Sequence, residues 1–263
     1  MKKYFTAYKN ALTTFLQYRL NLALLFVSHI VSFTGVFYLW IAIYRNGQTL
    51  GNYTLESIIL YYVILTIVLI TIANGVGMGF QVAEEINQGN IVHYLLRPYS
   101  YMGETLAKFL GEATINTVFV TPILLIIIFF ARHSITLPSF ANWLQFLGML
   151  LVGAIFYFLF YFLAALCAFW FERGRNFIYG MLIINLFLNG SLVPLDLFPQ
   201  TFQNISHYLP FQFLIFIPIQ TLLGRITHWP QILEIAGAWI IIMSSLIWMV
   251  WSLGVKKFES NGK

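Results

Sequence analysis

The sequence predicts an all-α, polytopic membrane protein with six transmembrane helices, an N-terminal amphipathic interfacial helix and an external re-entrant or cap hairpin before the last helix. Three observations carry that prediction. Of 263 residues, 60% are hydrophobic and only 9% are charged, where a soluble domain has about a quarter charged; mean hydropathy is +0.80. The few charges divide the chain into apolar runs that reach the roughly 20 helical residues needed to cross the hydrocarbon core. Basic residues also collect on one side of the arrangement those runs define.

The elements follow in chain order. Within residues 1–18, Phe5, Tyr8, Leu12, Phe15 and Leu16 recur at helical spacing opposite Lys2, Lys3, Lys9, Asn10, Thr13 and Gln17, which is the pattern of a helix lying on the membrane surface. Charge-free runs then place spans at 20–44, 57–83, 113–131, within 134–171, at 176–195 and at 235–255; a single charge at the bilayer centre costs about 3 kcal/mol, so such runs segment the chain. The run 197–224 differs. It holds Pro199, Pro210 and Pro218, its first half is polar, and only 211–223 is apolar, about 20 Å as a helix and too short to cross. With Pro194 and Pro230, residues 193–231 concentrate five of the eight prolines. Backbone broken by proline at membrane depth must be buried in protein or line a wet cavity, so a re-entrant hairpin or cap is expected.

Topology follows from counting Lys and Arg. With six spans and both ends in the cytoplasm, only Arg45, Arg132 and Arg225 of the 14 basic residues lie outside. If 197–224 crossed, Lys256, Lys257 and Lys263 would move outside and the asymmetry would weaken. Trp40, Tyr44, Trp143, Trp170, Trp229 and Trp251 fall near span ends, where aromatic rings favour the headgroup level; Trp239 and Trp248 fall deeper, as packing residues. No long linker or repeat interrupts the chain, which reads as one domain over 1–263.

The largest cytoplasmic segment, 81–108, has an internal design. Glu84 and Glu85 follow a stretch with Gly75, Gly77 and Gly79, glycines of the kind that permit close helix packing, and Gly89 and Asn90 interrupt the helix. A short amphipathic helix should follow, with Ile91, Tyr94 and Leu95 on one face, stopping before Pro98 because proline disfavours helical geometry in the residue preceding it. Ser100 then caps the next helix, with Glu104 in its first turn. Such an element offers a docking surface to a soluble partner.

Several function classes are disfavoured. One cysteine, Cys167, allows no internal disulfide or thiolate cluster. The five histidines are scattered, without a metal-ligand or paired-carboxylate motif, and Glu112 and Glu234 sit at span edges, where snorkelling is the simpler reading than proton relay. No P-loop occurs, so any ATP belongs to another subunit. The net charge of +5 reports topology rather than nucleic-acid binding.

Two stretches, EINQGNIVHYLLRP over 85–98 and GSLVPLDLFPQTFQNISHYLPFQFLIFIP over 190–218, resemble the six-helix permease subunits of bacterial ABC transporters of the type-2 exporter class, and the run Leu95, Leu96, Arg97, Pro98 resembles the drug- or viologen-exporter branch. The likeness covers essentially the whole chain. It implies a coupling helix at Asn90 to Leu96, with Arg97 and Pro98 at its end, that fits a cleft in an ATPase subunit; a gate helix at 81–88 carrying Glu84 and Glu85; and a connecting helix at 1–18. It further implies two ABC ATPase subunits that hold ATP and Mg, no cofactor on this chain, a second permease, identical or related, and a bacterial inner-membrane location amid lipid. The pathway would run mainly through the first, second and fifth helices, and the aromatic residues Phe26, Phe33, Phe37 and Tyr38 of the first suit an amphipathic drug, lipid or peptide. A non-transporting membrane anchor or sensor for an ATPase and an ion-coupled secondary transporter are the alternatives to ATP-driven export.

Overall fold

The computed structural model describes residues 5–10, 19–46, 49–72, 74–95, 100–131 and 138–260. Among them helices dominate, and the only β pairing is an isolated bridge between Leu50 and Tyr53. Residues 5–10 are helical, with the Phe5 and Tyr8 rings stacked; the remainder of the predicted interfacial helix lies outside the described residues.

The long helices appear where the charge-free runs put them: α1 (Arg19–Ile43), α2 (Leu55–Ile72) followed by α3 (Asn74–Asn87), then, beyond the four-residue α4 (Val92–Leu95), α5 (Tyr101–Ala131), α6 (Phe140–Leu166), α7 (Arg175–Leu188) and, after the short α8 (Gln200–Tyr208) and α9 (Phe216–Leu222), α10 (Trp229–Ser260). Among the described residues Leu55–Asn87, Phe140–Phe169 and Trp229–Phe258 are long and apolar enough to cross a membrane. Two boundaries differ from expectation. The gate stretch 81–88 is the second half of α3, which begins seven residues earlier at Asn74. The fifth predicted span, 176–195, is helical only to Leu188, 14 residues in all, or about 21 Å. It stops because Asn189 caps it and Gly190 takes a φ of +86°, a left-handed turn open to glycine at little cost.

Helix α6 is the hub. It packs against α3, α7, α9 and α10, and more narrowly against α2 and α5. Its run GAIFYFLFYFLAAL is apolar all round, as a helix buried on every side must be, and Phe156, Phe158 and Phe162 are essentially inaccessible. Stacked rings fasten it to the hairpin, Phe156 on Phe213 at 5.2 Å and Phe160 on Phe211 at 4.8 Å between centroids. Small residues set the other close contact. A Cβ on Gly79 of α3 would stand 3.1 Å from the Tyr161 carbonyl oxygen, and one on Gly75 would stand 3.0 Å from the Tyr157 ring, whereas one on Gly77 would meet nothing within 4 Å. Gly75 and Gly79, four apart, therefore share the face that meets α6, and Gly77 does not.

The proline-rich segment forms the expected broken hairpin, and each proline starts an element. Pro194 and Pro199 precede a 3₁₀ turn (Leu195–Leu197) and α8, Pro210 opens a second 3₁₀ turn (Pro210–Phe213), and Pro218 sits in the first turn of α9, positions where its missing N–H leaves no helical bond unmade. Phe213, Leu214, Ile215, Ile219 and Leu222 are buried, so the irregular backbone is covered by protein. Trp239 packs against the core as expected, but the packing expected of Trp248 needs correction. Trp248 is 74% exposed, because helix rotation turns it away from the bundle, whereas Trp40 and Tyr44 are buried and Trp251 stacks on Tyr101 at 5.4 Å.

Candidate functional site

The segment 81–108 builds a site from the end of α3, a tight turn, α4 and the start of α5. Helix α3 closes at Gly89, whose φ of +76° reverses the chain in the manner of a glycine C-cap. Backbone bonds from Ile91 N–H to the Glu85 carbonyl and from Tyr94 N–H to the Ile91 carbonyl hold the turn, and Ile91 is fully buried beneath it. Asn90 is exposed, its amide donating to Gln88 Oε1 at 2.9 Å. Leu95 ends α4, and Leu96, Arg97 and Pro98 lie outside the described residues. Ser100 caps α5 as expected, its hydroxyl accepting from Gly103 N–H at 3.3 Å.

The adjacent carboxylates of α3 point to different neighbours, since successive helical residues are about 100° apart. Glu85 accepts from the Tyr101 hydroxyl at 2.6 Å and from Gln81 at 2.9 Å, which latches α3 to α5. The Tyr94 and Tyr101 rings meet edge to face at 4.9 Å beside it. Burial, reinforced by the Glu85 bond and charge, drives the Tyr101 pKa well above its ordinary value, so its hydroxyl stays a donor. Glu84 faces the other way, 3.8 Å from Arg175 at the start of α7, and the Arg175 guanidinium lies over the Phe80 ring. Asn87 donates to the Glu172 carbonyl at 3.0 Å. On α5 the Glu104 and Lys108 pair closes at 2.8 Å; burial works against the lysine charge, but the carboxylate outweighs it and the Lys108 pKa rises. Between α3 and α5 lies a polar cavity of about 180 Å³ lined by Asn74, Glu85, Tyr101, Lys108 and Glu112 among others. Thus α3 is tied on one side to α5 and on the other to α7.

At the opposite end, a cluster that sequence reasoning missed clasps the hairpin to the α1–α2 loop. The buried Tyr53 hydroxyl donates to Asp196 at 2.9 Å, Gln220 donates to Tyr53 Oη at 2.7 Å, and Arg225 sits 4.6 Å over the Tyr53 ring. Tyr61 and Tyr62 of α2 donate to the carbonyls of Gly190 and Leu192. Burial holds the Asp196 carboxyl above the usual carboxylate range, although Tyr53 partly opposes it.

A larger cavity, about 280 Å³, opens between α1, α2, α3, α6 and α7. Phe33, Leu65, Leu69 and Leu182 make its walls mostly apolar, with Tyr157, Tyr161 and Asn185 supplying polar atoms. Of the four aromatic residues proposed on α1, Phe33 lines it, Phe37 and Tyr38 do not, and the Phe26 side chain lies outside what is described. Asn185 and Asn189 could have been noticed in the sequence, because amides are expensive in an apolar span and rarely purposeless there.

The segment 81–108 thus places two helices and a turn at one end of a buried bundle. No curated protein matches the chain. Residues 30–262 match the family described as ABC-2 family transporter protein, which covers most of the sequence and every spanning helix at least in part. The chain belongs to the ABC-2 transporter family and is an ABC type-2 membrane permease that associates with an ABC ATPase.

Proposed function

We propose that the chain is the membrane half of an ATP-driven exporter, moving an amphipathic substrate out of the cytoplasm while a pair of ATPase subunits binds ATP and Mg. The observation that carries this reading is the double tethering of α3. A push on the turn and α4 at residues 90–95 is transmitted to α5 through the Glu85–Tyr101 bond and to α7 through the Glu84–Arg175 pair, and α7, α2 and α1 border the 280 Å³ cavity. Docking force at the loop would therefore reshape the cavity. ATP does this by binding two global states with different affinity, so closure of the ATPase pair selects the outward-open permease. Two permeases, identical or paired with a related chain, enclose the path, and the chain lies in a bacterial inner membrane with both ends in the cytoplasm.

The test is affinity purification of the tagged chain from its native membrane in mild detergent. A P-loop subunit should copurify in near-equal amount and disappear when residues 90–98 are scrambled, with the permease still folded. A folded chain that emerges alone overturns the reading.

A further inference from the structure

We propose that the cavity between α1, α2, α3, α6 and α7 selects an uncharged ligand with an apolar body and one hydrogen-bond donor, such as a phenol, alcohol or amide, and that Asn185 receives the donor. This rests on the permease reading for its place in transport, but the recognition chemistry is independent of it. The decisive atom is Asn185 Oδ1. The residue is 2% exposed, its Nδ2 donates to the Tyr161 hydroxyl at 3.2 Å, and its Oδ1 is buried with no partner. An unmet buried acceptor costs about 1–3 kcal/mol, and here the residue that carries it lines a cavity. Oδ1 itself presents almost no accessible surface, so the amide turns toward the cavity when a ligand donor satisfies it.

The rest of the lining defines what the donor is attached to. Phe33, Val36, Leu65, Leu69, Val76 and Leu182 provide apolar wall on several sides, enough for one ring or a short alkyl chain in 280 Å³. Among the described residues the lining holds no Asp, Glu, Lys or Arg, and His29 is its one titratable group apart from tyrosines. A cation would enter with no carboxylate to offset its desolvation. A quaternary cation has no N–H for Asn185, and among the described residues only the Phe33, Tyr62, Tyr157 and Tyr161 rings of the lining could attract it. Anions are excluded by the same reasoning, with no Lys or Arg to meet them.

The experiment uses the full chain in lipid nanodiscs, titrated calorimetrically with three probes against empty discs: 4-butylphenol, its methyl ether, and benzyltriethylammonium. The phenol should bind about fivefold tighter than the ether, the value of one neutral hydrogen bond, and the cation most weakly. Asn185→Leu should erase the phenol-over-ether ratio while leaving ether affinity within about twofold. Equal affinity for phenol and ether in the wild-type chain, cation binding as tight as the phenol, or a ratio that survives Asn185→Leu would each overturn the proposal; the wild-type ratio alone decides it if the variant does not fold. Because no ATPase is present in the assay, a lost phenol preference refutes the ligand class, whereas failure of an ATPase to copurify refutes the permease reading and leaves the ligand class standing.

Discussion

Replacing Gly79 with alanine should wedge α3 off α6, and replacing Gly77 should not. The added Cβ at 79 would meet the Tyr161 carbonyl oxygen at 3.1 Å and its Cβ at 3.2 Å, both tighter than ordinary carbon contacts near 3.5–4.0 Å. One of these atoms is main chain, so rotating a side chain away gives no relief and α3 must move by a few tenths of an ångström. Overpacking of this kind costs about 1–3 kcal/mol, while exchanging glycine for alanine inside a helix returns about 1 kcal/mol. Gly79→Ala is therefore expected to lie between neutral and about 2 kcal/mol destabilising. Gly77→Ala, with nothing within 4 Å, should keep the helix gain of up to about 1 kcal/mol. Comparing the two cancels helix propensity and isolates the contact, a difference of about 1–3 kcal/mol. Thermal unfolding of both purified variants in one detergent measures it, and Gly79→Val should widen the gap. A Gly79→Ala protein that melts with or above Gly77→Ala would refute the packing argument.

Three further outcomes are expected. Tyr101→Phe and Glu85→Gln should each destabilise the chain by about 1 kcal/mol, as a half-exposed charged hydrogen bond implies, and should lower substrate-stimulated ATPase rate; the double variant should cost less than the two added, and strict additivity in a double-mutant cycle would show that the latch does not exist. The Asp196 carboxyl titrates above its ordinary value near 3.8 in the fold, so between that value and its raised pKa the native state holds more proton than the unfolded state; its contribution is fully present below the ordinary range and is lost as pH rises through the raised pKa. Subtracting the unfolding temperatures of Asp196→Asn from those of the wild type across mildly acidic to neutral pH should leave a falling difference, and a rising one would reverse the argument. In intact cells a cysteine at exposed Asn204 should react with membrane-impermeant reagents and one at exposed Gln88 should be protected; the opposite pattern would invert the topology. Ser206, on the same helix α8, is buried and would be a poor reporter.

The architecture was legible because scarcity of charge is an unusually clean signal: a single Asp or Arg ends a span, and the runs bounded by such residues coincide with α1, α2–α3, α5, α6 and α10. The turn after α3 and the start of α5 were legible too, since Gly89 and Ser100 have local conformational roles that need no tertiary context. What escaped prediction depends on helix rotation and on partners distant in sequence. Tyr53 reads as an ordinary loop tyrosine until Asp196 and Gln220, 143 and 167 residues later, close on it. Trp40 and Trp248 are equally plausible at a membrane surface or in a core until the azimuth of each helix is known. The fifth span was overestimated because the charge-free run continues past Leu188 while the backbone does not: Asn189 and Gly190 carry no charge yet end the helix.

The tyrosines that hold the hairpin also bear on how the chain is made. Tyr61 and Tyr62 meet carbonyls 129 and 130 residues farther along, and synthesis runs from the N-terminus. When Gly190 and Leu192 leave the ribosome, the hydroxyls that will receive them are already in the bilayer on α2, so the hairpin is fitted into a prepared socket rather than inserted on its own apolarity. A segment too short and too polar to be recognised as a span is in this way seated late in biogenesis, and a chain truncated before it would leave that socket open.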